Sequence, residues 1–482
     1  MRALLLAFGL VLAAGCPRAT PTMPGSPAVG DLGVTPDNLA RLTPYVAAIG
    51  AGWGDAALFE GFVLVAQHDQ PIYAHAFGFA DREHARAATA DTSFRIGSIT
   101  KQFTATAILT LEQDGKLSVS DPVSKHLPDY TGPAKDVTLH QLLTHTAGVP
   151  NFTADAALLA RKNQRWTVPQ LLATFQALPL EFTPGTKFAY SNSGYAILGA
   201  IVERVSGRSY GEYVTAELFA KAGMTRTVVG DAAGDPDRAE GYAVAGDAVK
   251  PAAAIDMSLP FSAGAVRSTA NDLVRWHRAL SGDAILGAVA KAKLYAPALE
   301  GYAYGWMIAK PSGHRAIWHN GGIDGFQADL WRVPDADLVV IVLSNREGTD
   351  TSAVARAAID AAFGAAIEPP PTRAKATLDP ALVPRLIGTY TITAASKQRL
   401  VDLGLPTAVI ESVESITITG APGAIEMTPN GQPATTLAPT GGASFFEPSE
   451  GIAVVFDVAG PGPAPSFTLE QGGLKVTYSR AP

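Results

Sequence analysis

Ser98 and Lys101 lie three residues apart in the stretch FRIGSITKQF, at the start of an apolar run. On a helix that spacing puts both side chains on one face. A serine hydroxyl is a weak nucleophile and needs a base within hydrogen-bond reach. A lysine serves as that base only if its pKa falls, which burial or nearby positive charge brings about. A helix N-terminus adds positive potential and free backbone N–H groups able to hold a developing oxyanion. Phe94, Ile96, Ile99 and Phe103 surround the pair with apolar bulk. The chemistry that fits is acyl transfer through a covalent serine intermediate. A Ser-x-x-Lys pair alone arises by chance about once in a chain of this length, so the assignment needs further residues. Two other stretches offer them: Tyr190-Ser191-Asn192, just ahead of an apolar helix, and His319-Asn320-Gly321-Gly322, after a strand-like run.

The elements that must hold these residues can be read from periodicity. Ile99, Phe103, Ala107 and Leu111 recur every fourth position, a buried helical stripe, and Gly115 stands where such a helix would stop. Further helices are expected over 137–146, 168–177, 193–206 and 269–280, the last opened by a capping box of Thr269 and Asp272. Residues 61–81 read as two strands around a turn at His68-Asp69-Gln70, and later strands are expected at 314–320, 325–333 and 337–345. Strands early and late with helices between them favour an α+β body over a regular βαβ array. Near 364–380 three consecutive prolines, Pro369 to Pro371, forbid continuing a helix. A boundary is therefore expected there, with the body over 37–367 and a small all-β barrel or sandwich over 380–482.

The three stretches, in this order, resemble the serine β-lactamase and penicillin-binding-protein superfamily. The likeness is to the branch of class C β-lactamases, D-Ala-D-Ala carboxypeptidases, D-aminopeptidases and related esterases. Its motifs are Ser-x-x-Lys, Tyr-x-Asn and Lys/His-x-Gly, standing here at 98–101, 190–192 and 319–321. Flanking segments match too, among them LLTHTAGVP, FTPGTKFAYSNSGY, GAVRSTANDL and GGIDGF, so that the resemblance covers about residues 45–365. It implies a β-lactamase/DD-peptidase-like body, an antiparallel sheet flanked by helices with an all-helical subdomain. It also implies roles. Ser98 would form the acyl-enzyme. Lys101 would move its proton. Tyr190 would be the partner acid/base, its phenolate favoured by Lys101, with the first base of the two left open. Asn192 would bond the substrate amide or the lysine. His319 and Gly321 would line the cleft, and the N–H groups of Ser98 and Gly322 would form the oxyanion hole. No cofactor or metal is implied.

Two departures bear on substrate. His319 stands in place of the lysine with which β-lactamases attract a carboxylate, and Asn320 replaces the usual threonine or serine. A neutral imidazole attracts a carboxylate less at pH 7. A small-molecule or peptide substrate cleaved by a peptidase or esterase is therefore expected rather than a β-lactam. The alternative is a non-catalytic protein binding cell-wall peptides on the same scaffold. A decayed enzyme tends to lose a motif residue, and Ser98, Lys101 and Tyr190 are all present. His145 in LLTHTAG reads as a capping or packing residue. A Gly-x-Ser-x-Gly elbow, a P-loop and a His-Glu-x-x-His zinc motif are missing from the sequence.

Composition narrows the setting. Of 482 residues 47% are hydrophobic, enough for large cores, and 37 basic against 44 acidic residues without a cationic run exclude a nucleic-acid surface. MRALLLAFGLVLAAGC has one early cation, a short uncharged core and small residues before Cys16, the single cysteine. The run is too short to span a membrane, which takes ~20 residues, and has the form of a secretory signal; with Cys16 directly after small residues it resembles a bacterial lipoprotein signal peptide over 1–16, the alternative being an ordinary signal peptide with a chance cysteine. It would be followed by a flexible Pro/Gly/Thr-rich tether over 17–36. Lipidation at Cys16 would anchor the protein to a membrane in a bacterial cell envelope, facing the periplasm or exterior. One cysteine excludes an internal disulfide.

Overall fold

In FVLVA (62–66) all five residues are apolar, so a strand built from them must be covered on both faces. That is what the fold provides. In this computed structural model residues 34–481 are described except 35, 50, 52–57, 232–233, 246–247, 371–372, 403–406, 448–450 and 472–473. The expected signal peptide, Cys16 and nearly all of the tether lie outside the described residues.

Strands β1 (Gly61–Gln67) and β2 (Gln70–Phe77) form a hairpin. His68 and Asp69 both take left-handed φ, 49° and 61°, the geometry that matches the twist of paired strands. Gln70 belongs to the strand rather than to the turn. β3 (Met307–Ala309), β4 (Ala316–Ile323), β5 (Phe326–Val333) and β6 (Leu338–Ser344) complete a six-stranded antiparallel sheet in the order β3-β4-β5-β6-β1-β2. Side chains alternate across it. Phe62, Leu64, Val339, Ile341 and Leu343 join the core on the helical-subdomain side. Val63, Val65, Val340, Val342 and the stacked pair Trp318–Trp331, 4.4 Å apart, face helix Thr351–Ala362. β3 pairs only with Ala316 to Trp318, so the continuation of β4 from His319 onward has no described strand on that edge. The free edge lies beside the turn that carries Ser98.

The elements packed on the other side of Ser98 are helical. Helix α1 (Thr100–Gln113) was expected to bury one stripe, but every residue from Thr100 to Leu111 is buried. A helix covered all round is a central element, and its polar side chains find partners. Thr104 Oγ1 lies 2.7 Å from the Tyr210 hydroxyl and donates to the Ser262 carbonyl, and Gln102 Oε1 accepts from Trp276 Nε1. Around α1 lie α2 (Leu139–Leu143), α3 (Asn192–Ser206), α4 (Phe261–Gly264) and α5 (Ala270–Ser281). The cap of α5 is half of the expected box. Thr269 accepts from the Asp272 N–H, but the Asp272 carboxylate turns away to the Arg226 N–H and the Thr227 hydroxyl.

The C-terminal region is a closed eight-stranded antiparallel barrel, in which the strand Gly388–Ile392 pairs with the last strand, Leu474–Arg480. Tyr390, Phe445, Phe456, Phe467 and Tyr478 pack into a core separate from those of the body. Among the described residues no helix is long and apolar enough to cross a membrane.

Candidate active site

Ser98 sits in a short 3₁₀ turn, Gly97–Ile99, that leads into α1. Two glycines let β4 come against this turn. Gly97 has φ +49°, and a Cβ there would lie 2.8 Å from the Gly322 nitrogen. A Cβ on Gly321 would lie 1.9 Å from the Ile96 carbonyl oxygen and 3.0 Å from the Ser98 nitrogen. Side chains at either position would drive the strand off the serine. Ser98 itself is partly exposed and Gly322 is exposed, so solvent reaches both.

Lys101 is fully buried one turn on. Its Nζ lies 3.0 Å from Ser98 Oγ, 2.7 Å from Asn192 Oδ1 and 2.8 Å from the Ala263 carbonyl oxygen. The last two can only accept. The Asn192 amide is oriented by its Nδ2, which donates to Thr153 Oγ1 at 3.1 Å. Burial holds the lysine pKa well below its ordinary value. A neutral amine spends its two N–H bonds on the two carbonyls and keeps its lone pair for the Ser98 hydroxyl.

Tyr190 comes from the segment just before α3. Ser191 is the N-cap of that helix and Asn192 its first residue, which is why the triplet precedes an apolar run. The Tyr190 ring lies over Lys101 Nζ, 4.7 Å from centroid to nitrogen. Burial raises the phenol's pKa, and the Ser98 side chain facing it offsets this in part. The expected phenolate is therefore not the favoured form; Tyr190 stands as a phenol. Its hydroxyl is buried and faces the Ser98 side chain without a well-formed hydrogen bond to it.

His319 reaches the same cluster but not as a free group. Its Nδ1–H donates to the Asn320 carbonyl at 2.5 Å, and its Nε2 accepts from the Tyr302 hydroxyl at 3.0 Å. Burial first, then the nearby Lys101, push its pKa down to about 3. The expected cleft-wall histidine is thus a neutral ring with both nitrogens bonded inside the protein, not an anchor for an anion.

The fold brings Ser98, Lys101, Tyr190, Asn192, His319, Gly321 and Gly322 to one place. Sequence reasoning missed the Ala263 carbonyl, Tyr302 and Tyr195, whose ring lies 5.4 Å from Lys101 Nζ. A backbone carbonyl leaves no mark in residue type. Gly199 does leave one: a Cβ there would sit 2.0 Å from Ser262 Oγ, so this glycine admits the short helix α4, which carries Ala263, against α3. Among the described residues no three His, Cys, Asp or Glu converge as a metal site would require.

The family model described as Beta-lactamase matches residues 46–365. Penicillin-binding protein 4* of Bacillus subtilis (strain 168) is 29% identical over 369 residues, 70% of this chain and 80% of that protein. A D-stereospecific amidohydrolase from Streptomyces sp. superposes with a TM-score of 0.57 at 27% identity, over 68% of this chain and 99% of its own. The octameric penicillin-binding protein homologue from Pyrococcus abyssi, at 22% identity, shares the fold: TM-score 0.59 over 92% of this chain and 97% of its own. Since the family match spans well over half the chain and contains all three motifs, this protein belongs to the Beta-lactamase family, within the superfamily of serine β-lactamases and penicillin-binding proteins.

Proposed function

We propose that this protein is an exported serine hydrolase that cleaves amide, peptide or ester bonds through a Ser98 acyl-enzyme, with Lys101 as first base. The observation that carries the reading is the Lys101 amine, fully buried, bonded to two carbonyl oxygens and 3.0 Å from Ser98 Oγ. Ser98 Oγ bonds to the substrate carbonyl carbon as its proton passes to the Lys101 lone pair. The charge that develops on the carbonyl oxygen is held by the N–H groups of Ser98 and Gly322. Tyr190 gives its proton to the leaving group as the scissile bond breaks, and Lys101 restores that proton to the Tyr190 oxygen. Water then attacks the ester by the same path in reverse and Ser98 leaves protonated.

The internally bonded, neutral His319 supports a substrate not held by a carboxylate at that position. The likeness to a D-stereospecific amidohydrolase supports amide cleavage. A fluorophosphonate probe is expected to add to Ser98, and Ser98→Ala to lose both labelling and turnover on a panel of p-nitrophenyl esters, D-amino-acid amides and nitrocefin. A folded wild type that is neither labelled nor active, or undiminished turnover in Ser98→Ala, would falsify the reading. Export rests on the signal-like segment ending at Cys16. Mass spectrometry of the mature chain is expected to find a lipidated Cys16 first; any other unmodified first residue overturns it.

A further inference from the structure

His145 is a residue this chemistry leaves unused, and its surroundings are unusual. It follows α2 with φ +56°, a left-handed conformation uncommon outside glycine. From that position it holds the Tyr190 segment at two points. The Ala189 N–H donates to the His145 carbonyl at 2.9 Å, and the Ser191 N–H donates to His145 Nδ1 at 3.1 Å. Both peptide N–H groups that flank Tyr190 therefore end on one residue. The Tyr190 ring also rests on the imidazole, with centroids 4.3 Å apart.

Packing alone does not account for a histidine here. The ring is buried among Phe188, Tyr190, Tyr195 and Tyr302. Because Nδ1 accepts, the proton of the neutral ring sits on Nε2, and Nε2 has no hydrogen-bond partner among the described residues. A buried unpaired donor is costly. Phenylalanine would fill the same space without it, but could not accept from Ser191. Burial, with Lys101 nearby, keeps the imidazole neutral and its Nδ1 free to accept.

We infer that His145 is a positioning residue for Tyr190: it fixes backbone and ring so that the phenol faces Ser98 and Lys101. This rests on the acyl-enzyme reading above. His145→Phe keeps a ring and loses the acceptor. His145→Asn keeps an acceptor near Nδ1 and tolerates left-handed φ. The diagnostic measurement is leaving-group dependence. Fluoride from a fluorophosphonate and p-nitrophenolate from an ester depart without a proton; the amine of D-alanine amide needs one.

His145→Phe is expected to lower kcat on the amide about 10²-fold, the scale of a misplaced acid/base, with KM little changed. Ser98 labelling and the p-nitrophenolate burst, which report acylation alone, should fall less than tenfold. Tyr190→Phe should show the same pattern, and the double variant should be no worse than either single one, as for residues acting as one unit. His145→Asn should keep most amide turnover. Equal losses on all substrates, effects that add in the double variant, or a His145→Phe enzyme matching wild type would overturn the inference. The same holds for a folded His145→Asn as impaired on the amide as Phe. The two failures are distinguishable. An unlabelled Ser98 in wild type removes the acyl-enzyme reading and this inference with it. A labelled, active wild type with an unaffected Phe variant removes the inference alone.

Discussion

At Lys101 two effects compete. The rings of Tyr190 and Tyr195, 4.7 and 5.4 Å from Nζ, favour the ammonium form, by about 0.5–2 kcal/mol for contacts of this kind. Against this stands full burial, the cause of the lowered pKa, and a desolvated cation costs several kcal/mol. Burial outweighs the rings, and the lysine pKa falls well below its ordinary value. Because the active base is neutral, activity should rise with pH through the lysine's folded pKa. The acid limb of kcat/KM should lie well below the ordinary 10.5. Lys101→Met should lower kcat about 10³-fold, within the range for loss of a general base, and Lys101→Arg should not restore it, since arginine stays charged. A limb near 10.5, or an active arginine variant, would remove lysine as the base. At this scale residue type singled out Ser98, Lys101, Tyr190 and Asn192, and the fold brings these four side chains together. It was silent on the Ala263 carbonyl. It also gave no sign that Tyr302 would occupy the imidazole of His319, because both contacts depend on chain segments distant in sequence.

Elements place these residues through close backbone approach. The turn bearing Ser98 and strand β4 meet without a side chain between them at Gly97 and Gly321. Gly321→Ala should therefore separate them: its Cβ would lie 1.9 Å from the Ile96 carbonyl oxygen, and the strand must move. If Gly322 supplies an oxyanion donor, kcat should fall about 10²–10³-fold, as for loss of one such donor, while circular dichroism stays native-like. Full activity in this variant would mean that Gly322 does not serve the transition state. Periodicity located helices and strands well because alternation and a 3.6-residue repeat are local properties. It marked only one stripe of α1; Thr104, Thr106 and Thr110 lie off that stripe, and their hydroxyls are met by Tyr210, by the Gln102 carbonyl one turn back and by Tyr213. The early end of β3, which leaves the edge of β4 from His319 onward without a described strand, had no local signal either.

At the scale of the whole chain, the barrel's place is the open question that geometry can address. Alternating residues in SITIT and KVTYS predict half-buried strands equally in a sandwich and in a barrel. What decides is the pairing of Tyr390 to Ile392 with Tyr478 to Arg480, nearly 90 residues apart, which no local pattern encodes. Closure leaves no open edge to pair with another chain, and the interior is filled by its own aromatic residues. The body has separate cores on the two faces of its sheet, and its second core runs to Ile367. The body's two cores share one sheet and count as one unit, while the barrel core stands apart, so body and barrel should unfold as two cooperative units. Calorimetry of the full chain is then expected to show two transitions, and a protein ending at Pro370 only one of them. The truncated protein should also keep kcat on the best substrate of the panel within about threefold, since every residue bonded to Lys101 comes from the body. A single merged transition, or a collapse of turnover on truncation, would mean that the barrel supports the cleft wall, and that the separation of cores understates the coupling between the two parts.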